Sequence, residues 1–270
     1  MRSGSEAALA AVRDQWNALL FEKASGEIET ARELFEVAVL LRENGSLISS
    51  LEDAARDEDS RAKLATDVFR GKVSDEVTEV VAGLSRARWS EDLDLARAIE
   101  ALGVETLLAG AERNGALSKV EEQLYRNMRT LRNERRLRIT LNDDTYDLQA
   151  RKDLTRKIFA DDDAHTIELM VWAVERLERH TFASSLRKFI DAAAERGKHV
   201  VASVTSATPL TREQEERLTG ILSRMYNKDI TLHVAINPAI VGGLRVHVGD
   251  DIIDGTLASR VRSVRDSFTN

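Results

Sequence analysis

The sequence predicts a mostly α protein: a duplicated helical bundle followed by a small α/β C-terminal domain. Three observations carry this reading. The only two prolines, Pro209 and Pro238, fall in the last quarter of the 270 residues, and the long stretch before them is rich in the good helix formers Ala, Leu, Glu and Arg. That stretch repeats itself at an offset of 90 residues. Beyond Arg196-Gly197-Lys198 the apolar residues stop recurring at helical spacing and begin to alternate.

The repeat runs without gaps. Leu34 matches Leu124, Leu41-Arg42 matches Leu131-Arg132, Leu47 matches Leu137 and Leu51 matches Leu141. Asp53 and Asp57 match Asp143 and Asp147, Arg61 matches Arg151, Leu64 matches Leu154, and Phe69 matches Phe159. Ten identities in the thirty-six residues from 34 to 69 exceed what shared composition gives, so a helical bundle has been duplicated. The copies are expected to span 1–88 and 89–197, with 198–270 as the third domain.

The copies differ on one helix. In the first, Val77, Val80, Val81 and Leu84 make a single apolar stripe, the pattern of a helix with one buried face. In the second, Ile167, Met170, Val171 and Val174 repeat that stripe, and Leu169, Trp172 and Ala173 add another on the opposite side. The first copy has Glu79, Ala82 and Gly83 there. A helix apolar on both sides must be covered twice. Two coverings are open: deeper burial inside the helical array, or an incoming amphipathic helix with Trp172 as its anchor.

In the tail, His199 to Ser206 alternates as a strand, with Val200, Ala202 and Val204 on one face. Thr211-Arg212-Glu213-Gln214 is a capping box. It opens a helix that buries Leu218, Ile221, Leu222 and Met225. Ile230, Leu232 and Val234 alternate again, as do Leu244, Val246 and Val248. Between 242 and 255 lie four of the chain's fourteen glycines: Gly242, Gly243, Gly249 and Gly255. Glycine serves where φ is positive or where two backbones come close, so this segment reads as a shape element. Thr256 then caps an expected last helix with Leu257, Val261, Val264 and Phe268 on one side. The expected tail order is strand, helix, strand, strand, short strand, helix.

Composition narrows the function. A net charge of −7 argues against general affinity for nucleic acid or anionic lipid. The absence of cysteine excludes disulfides, thiolate metal sites and cysteine nucleophiles. The N-terminus lacks an apolar signal core and no apolar run is long enough to span a bilayer, so a soluble, cytoplasmic protein is expected, meeting a membrane only through a partner.

Other clusters read as surface first. His199, His233 and His247 share the polar parity of their strands, but nothing in the sequence aligns them for zinc, and no carboxylate is placed to orient them. Arg129, Arg132, Arg135, Arg136 and Arg138 crowd together without interleaved aromatics, which suits a solvated helix end or an acidic protein contact better than a nucleic acid. Arg260, Arg262 and Arg265 read similarly. Asp161-Asp162-Asp163 lacks the spaced ligands of a calcium loop. There is no Gly-rich phosphate loop ending in Lys and Ser or Thr, and no nucleophile or acid–base pair. No catalytic, cofactor or metal residue is expected.

Asn237-Pro238-Ala239-Ile240-Val241-Gly242-Gly243, continuing through Val248-Gly249-Asp250 to Ile253-Asp254-Gly255 and an Arg-rich end, resembles the C-terminal signature of the delta subunits of bacterial rotary ATP synthases, relatives of the mitochondrial oligomycin-sensitivity-conferring protein. Val200 to Ala207 and Pro209-Leu210-Thr211 are similar to the same family upstream. The chain departs from the family in length, by about one helical unit. The resemblance implies a non-catalytic peripheral-stalk subunit, one copy per complex. It would sit peripherally at the cytoplasmic face of the plasma membrane, link the catalytic head to the stalk, and resist rotor torque. It further implies that residues 89–197 form a six-helix bundle gripping the N-terminal helix of an alpha subunit, with Leu169, Trp172 and Ala173 as candidate contacts. The α/β domain would bind the b subunit. A regulatory helical protein using its Arg clusters on RNA or acidic protein is the alternative reading.

Overall fold

A computed structural model describes residues 2–22, 25–175, 182–197, 199–226, 229–238, 240, 242–248 and 251–256. The expected last helix, with Leu257, Val261, Val264, Phe268 and Arg260, Arg262 and Arg265, lies outside the described residues, as do Gly249 and Asp250. The helices are α1 (Ser3–Glu22), α2 (Glu27–Glu43), α3 (Gly45–Glu52), α4 (Glu58–Phe69), α5 (Asp75–Arg86), α6 (Asp94–Arg113), α7 (Leu117–Asn133), α8 (Arg135–Asn142), α9 (Leu148–Ile158), α10 (Ala164–Glu175), α11 (Phe182–Arg196) and α12 (Arg212–Tyr226). The strands are β1 (His199–Ser206), β2 (Asp229–Ile236), β3 (Leu244–Val248) and β4 (Asp251–Asp254). The fold is mostly α with a small α/β part at the end, as the sequence predicts.

The duplication is visible in the helix boundaries. Both ends of α7 lie 90 residues beyond those of α2, and both ends of α8 lie 90 beyond those of α3. The repeated polar residues do the same work twice. Asp57 caps α4 by accepting from the Ser60 N–H at 3.1 Å, and Asp147 caps α9 by accepting from the Ala150 N–H at 2.8 Å. Asp53 and Asp143 each accept from the backbone N–H two residues on. Arg61 and Arg151 are both buried and both donate to backbone carbonyls. Arg61 reaches Ser85, Asp53 and Arg86, whereas Arg151 reaches Leu141. These contacts explain why those positions are retained between copies whose surfaces differ.

Chain contacts divide the molecule into two units, residues 1–120 with 139–179 and residues 121–138 with 180–270. In the first, α1 and α6 run parallel. The Ser5 hydroxyl donates to Asp94 Oδ2 at 2.7 Å near their starts, and Arg113 Nη2 donates to the Leu20 carbonyl at 2.6 Å near their ends. α2 lies antiparallel on α6 at very close range. A Cβ added to Gly103 of α6 would stand 2.7 Å from Phe35 Cδ1, so only glycine admits the ring. The α6 start is capped from a distance, where Glu52 accepts from the Leu95 N–H at 2.9 Å. Leu34, Leu41, Leu51, Val77, Leu84, Leu95, Ile99 and Leu102 are fully enclosed in this core.

In the second unit the strands order as β2-β1-β3-β4, with β1 and β2 parallel and the remaining pairs antiparallel. The crossover between β1 and β2 is α12. The expected capping box opens this helix: the Thr211 N–H donates to Gln214 Oε1 at 2.9 Å, and the Gln214 N–H to Thr211 Oγ1 at 3.3 Å. One face of the sheet (Ala202, Val204, Ile230, Val246, Val248) packs on Leu218 and Leu222 of that helix. Of the residues expected on its buried side, Ile221 and Met225 are exposed. The apolar stripe is wider than the small sheet it covers.

Candidate functional site

The glycine-rich segment closes on itself as a clasp. Gly242 and Gly243 both take positive φ, 69° and 80°, a region side chains rarely enter. A Cβ on Gly243 would also stand 2.8 Å from Thr256 Cα and collide with the Gly255 carbonyl. The Gly255 N–H donates to the Leu244 carbonyl at 2.9 Å, so the strand leaving the glycine pair is tied to the strand returning to it. Asp254 locks the closure. It accepts from the Thr256 hydroxyl at 2.7 Å and from the Thr256 N–H at 3.0 Å, while Arg245 Nη2 lies 3.0 Å from its other oxygen. Those donors, the Thr256 hydroxyl foremost and then the Thr256 N–H and Arg245, hold the Asp254 carboxyl down to a pKa of about 2. Four of the five signature residues thus act together on backbone shape, the fifth being Gly249.

Leu169, Trp172 and Ala173 are all buried, and their cover comes from within the chain. Phe35 of α2 stacks on Trp172 with centroids 4.2 Å apart and planes 7° from parallel. The Arg42 guanidinium lies 5.7 Å from the indole centroid, and the indole N–H points to Glu100 Oε1 at 3.4 Å. Next to the stripe, Glu168 receives Arg32 Nη2 at 2.6 Å and Arg32 Nε at 3.1 Å, a two-pronged pair between α10 and α2. The second stripe is therefore a junction between the two copies rather than an open groove. The cover from α2 comes from the first copy, which supplies Phe35 and Arg42.

The three histidines separate. His233 and His247 both lie opposite Ser203, on either side of β1 and on one face of the sheet, whereas His199 starts β1 opposite Asp229. His233 Nε2 meets Glu121 Oε1 at 3.1 Å, its ring stacks on Tyr125 at 4.2 Å, and the Tyr125 hydroxyl donates to its carbonyl at 3.2 Å. Sequence reasoning found no carboxylate for these histidines because Glu121 lies 112 residues away from His233, on α7. Burial, and then the positive fields of Arg187, Arg245 and Arg132, push the His247 imidazole below its ordinary value. Asp163 serves α10, accepting from the His165 N–H at 3.1 Å and lying 2.7 Å from His165 Nδ1. Among the described residues no group of His, Asp and Glu suited to a metal ion forms. None of these helices is long and apolar enough to cross a membrane.

These arrangements shape surfaces and junctions, and comparisons with known proteins place them in one lineage. The model of the family described as ATP synthase delta (OSCP) subunit matches residues 104–268. Among curated relatives, the ATP synthase subunit delta of Beutenbergia cavernae is 37% identical over 98% of both chains. The subunit delta of Streptomyces griseus is 35% identical over 97% of both. The ATP synthase subunit b-delta of a Mycobacterium species (strain KMS) is 36% identical over 97% of this chain and 60% of that longer one. The full-length matches carry the first copy along with the rest. The chain belongs to the ATP synthase delta (OSCP) subunit family.

Proposed function

We propose that this chain joins the catalytic head of a proton-transporting F-type ATP synthase to its b-subunit stalk and resists the torque of the rotor. The observation that carries this is identity across nearly the whole of both chains with curated delta subunits, on a fold whose signature residues make a backbone clasp. The chain is a non-catalytic component of the synthase complex, in its peripheral stalk. Resisting torque needs extended helical contacts and no bond-making, which fits a molecule built of close helix junctions.

The finer assignments are ours. The helical part binds the N-terminal helix of an alpha subunit, and the α/β part, from residue 198 onward, binds the b subunit. The b-delta relative supports the second pairing, since its name joins the two subunits in one chain. One copy would serve each complex, at the cytoplasmic face of the plasma membrane. Affinity purification of the tagged full-length chain from native membranes, with chemical cross-linking, tests this reading. Recovery of alpha and b, with alpha cross-links in the helical part and b cross-links beyond residue 198, is expected. Recovery of neither subunit would refute it.

A further inference from the structure

Among the described residues β2 is an edge strand, paired with β1 alone. The Asn237 N–H donates to the Ser206 carbonyl of β1 at 2.8 Å, which sets the parity of the strand. Alternate residues of a strand turn their backbone groups to opposite sides, so those of Ala235, His233 and Thr231 face β1. Those of Leu232 and Val234 face outward, where no described strand meets them. Alongside this edge runs a groove of about 440 Å³, lined by Leu232, His233 and Val234 and by one face of α7. That face carries Glu122, Tyr125, Arg126, Arg129, Thr130 and Asn133, at helical spacing. Tyr125 is buried and fixed to His233, so it forms a floor, while Arg129 stands exposed.

The charge of this wall is opposite to that of the chain. Of the charged residues lining the groove, Arg126 and Arg129 outnumber Glu122 in a protein of net charge −7, and further arginines follow at 132, 135, 136 and 138. We propose that the groove receives an extended acidic segment of a partner protein, which adds to β2 as a further strand. Its backbone pairs with the outward groups of Leu232 and Val234. Its side chains then alternate, acidic ones toward the exposed Arg129, apolar ones beside the half-buried Leu232 and Val234. The arginine wall selects an acidic sequence, and the open edge selects an extended one. This contact goes beyond the peripheral-stalk reading and does not depend on which subunit supplies the segment.

The test uses the full-length chain and a fluorescent peptide of about eight residues with strict Glu/Val alternation. Anisotropy titration is expected to show saturable binding that weakens as salt rises. Arg129→Glu is expected to weaken it at least about tenfold, because a like charge then faces the acidic side chains. Circular dichroism of the variant should match the parent, since Arg129 is exposed. Methylating alternate backbone nitrogens of the peptide should abolish binding by removing its donors. Absence of binding, equal binding of a Lys/Val peptide, or full binding after N-methylation would each overturn the proposal. Binding of single-stranded uridine RNA with the same loss in Arg129→Glu, and none of the peptide, would assign the face to nucleic acid and also overturn it.

Discussion

The Trp16 indole N–H donates to Thr106 Oγ1 at 2.9 Å, and the two residues lie 90 positions apart, the period of the duplication. Equivalent positions of successive copies thus touch, because α1 and α6 lie side by side and run the same way. Both groups are buried. Thr106→Val keeps the shape and removes the acceptor, leaving an indole N–H unsatisfied at a cost of about 1–3 kcal/mol. Urea unfolding of Thr106→Val, Trp16→Phe and the double variant is the measurement. The double variant should lose less than the sum of the singles.

Trp172 is expected to behave as core. Trp172→Ala should cost about 3–5 kcal/mol, since it removes the stack on Phe35 and leaves a cavity between the copies. The position matching Ala173 is Gly83, with open space where its Cβ would be, but Ala82 is buried in the first-copy core. Ala82→Glu should therefore destabilise too, since it buries a charge in that core. Thermal melts of both variants check this. A Trp172→Ala protein with an unchanged midpoint would contradict the junction.

Gly243→Val forces a β-branched residue into positive φ and drives its Cβ into the 255–256 backbone. The clasp should open. Hydrogen exchange of the Gly255 amide, now bonded to Leu244, should rise by orders of magnitude, while amides of α2 and α6 stay protected. Unchanged protection at Gly255 would make the glycine incidental.

Two ionisations report on the sheet. Asp254 titrates near pH 2 in the folded chain, below its unfolded value of about 4. Its stabilising contribution is complete above that unfolded value and is lost as pH falls through the folded one. Thr256→Val, which removes the hydroxyl donor, should raise the Asp254 value, read by carboxyl NMR. His247 is also lowered, so the folded state favours its neutral form. The stability it lends is present above about pH 6.5 and is lost as pH falls through the depressed folded value. Arg187→Ala should shift the His247 imidazole titration upward, because it removes a repelling cation.

Local signals were read well from the sequence. The Thr211–Gln214 capping box, the glycine pair and the alternation of β1, β2 and β3 each depend on residues close in the chain, and each formed as expected. The duplication was legible because the capping aspartates recur with the same task and the buried arginines both serve backbone carbonyls. What covers the second stripe of α10 was not. Periodicity tells how many faces a helix buries but not which helix arrives, and Phe35 is 137 positions from Trp172. The pairing of His233 with Glu121, and the order that leaves β2 at the edge, escaped for the same reason.

The closeness of α2 to α6 bears on how such a chain can be shortened. The family match begins at residue 104, next to Gly103 and well inside α6. A gene trimmed to the second copy, from residue 89 onward, would keep α6 while discarding α1 and α2, two helices that pack on it. Gly103 would then sit beside an empty channel shaped for Phe35, and Trp172 would lose the ring stacked on it. The excised product should be sticky and prone to self-association until another helix fills the trough. Deleting the first copy alone is therefore expected to bare the α6 and α10 surfaces that Phe35 now covers.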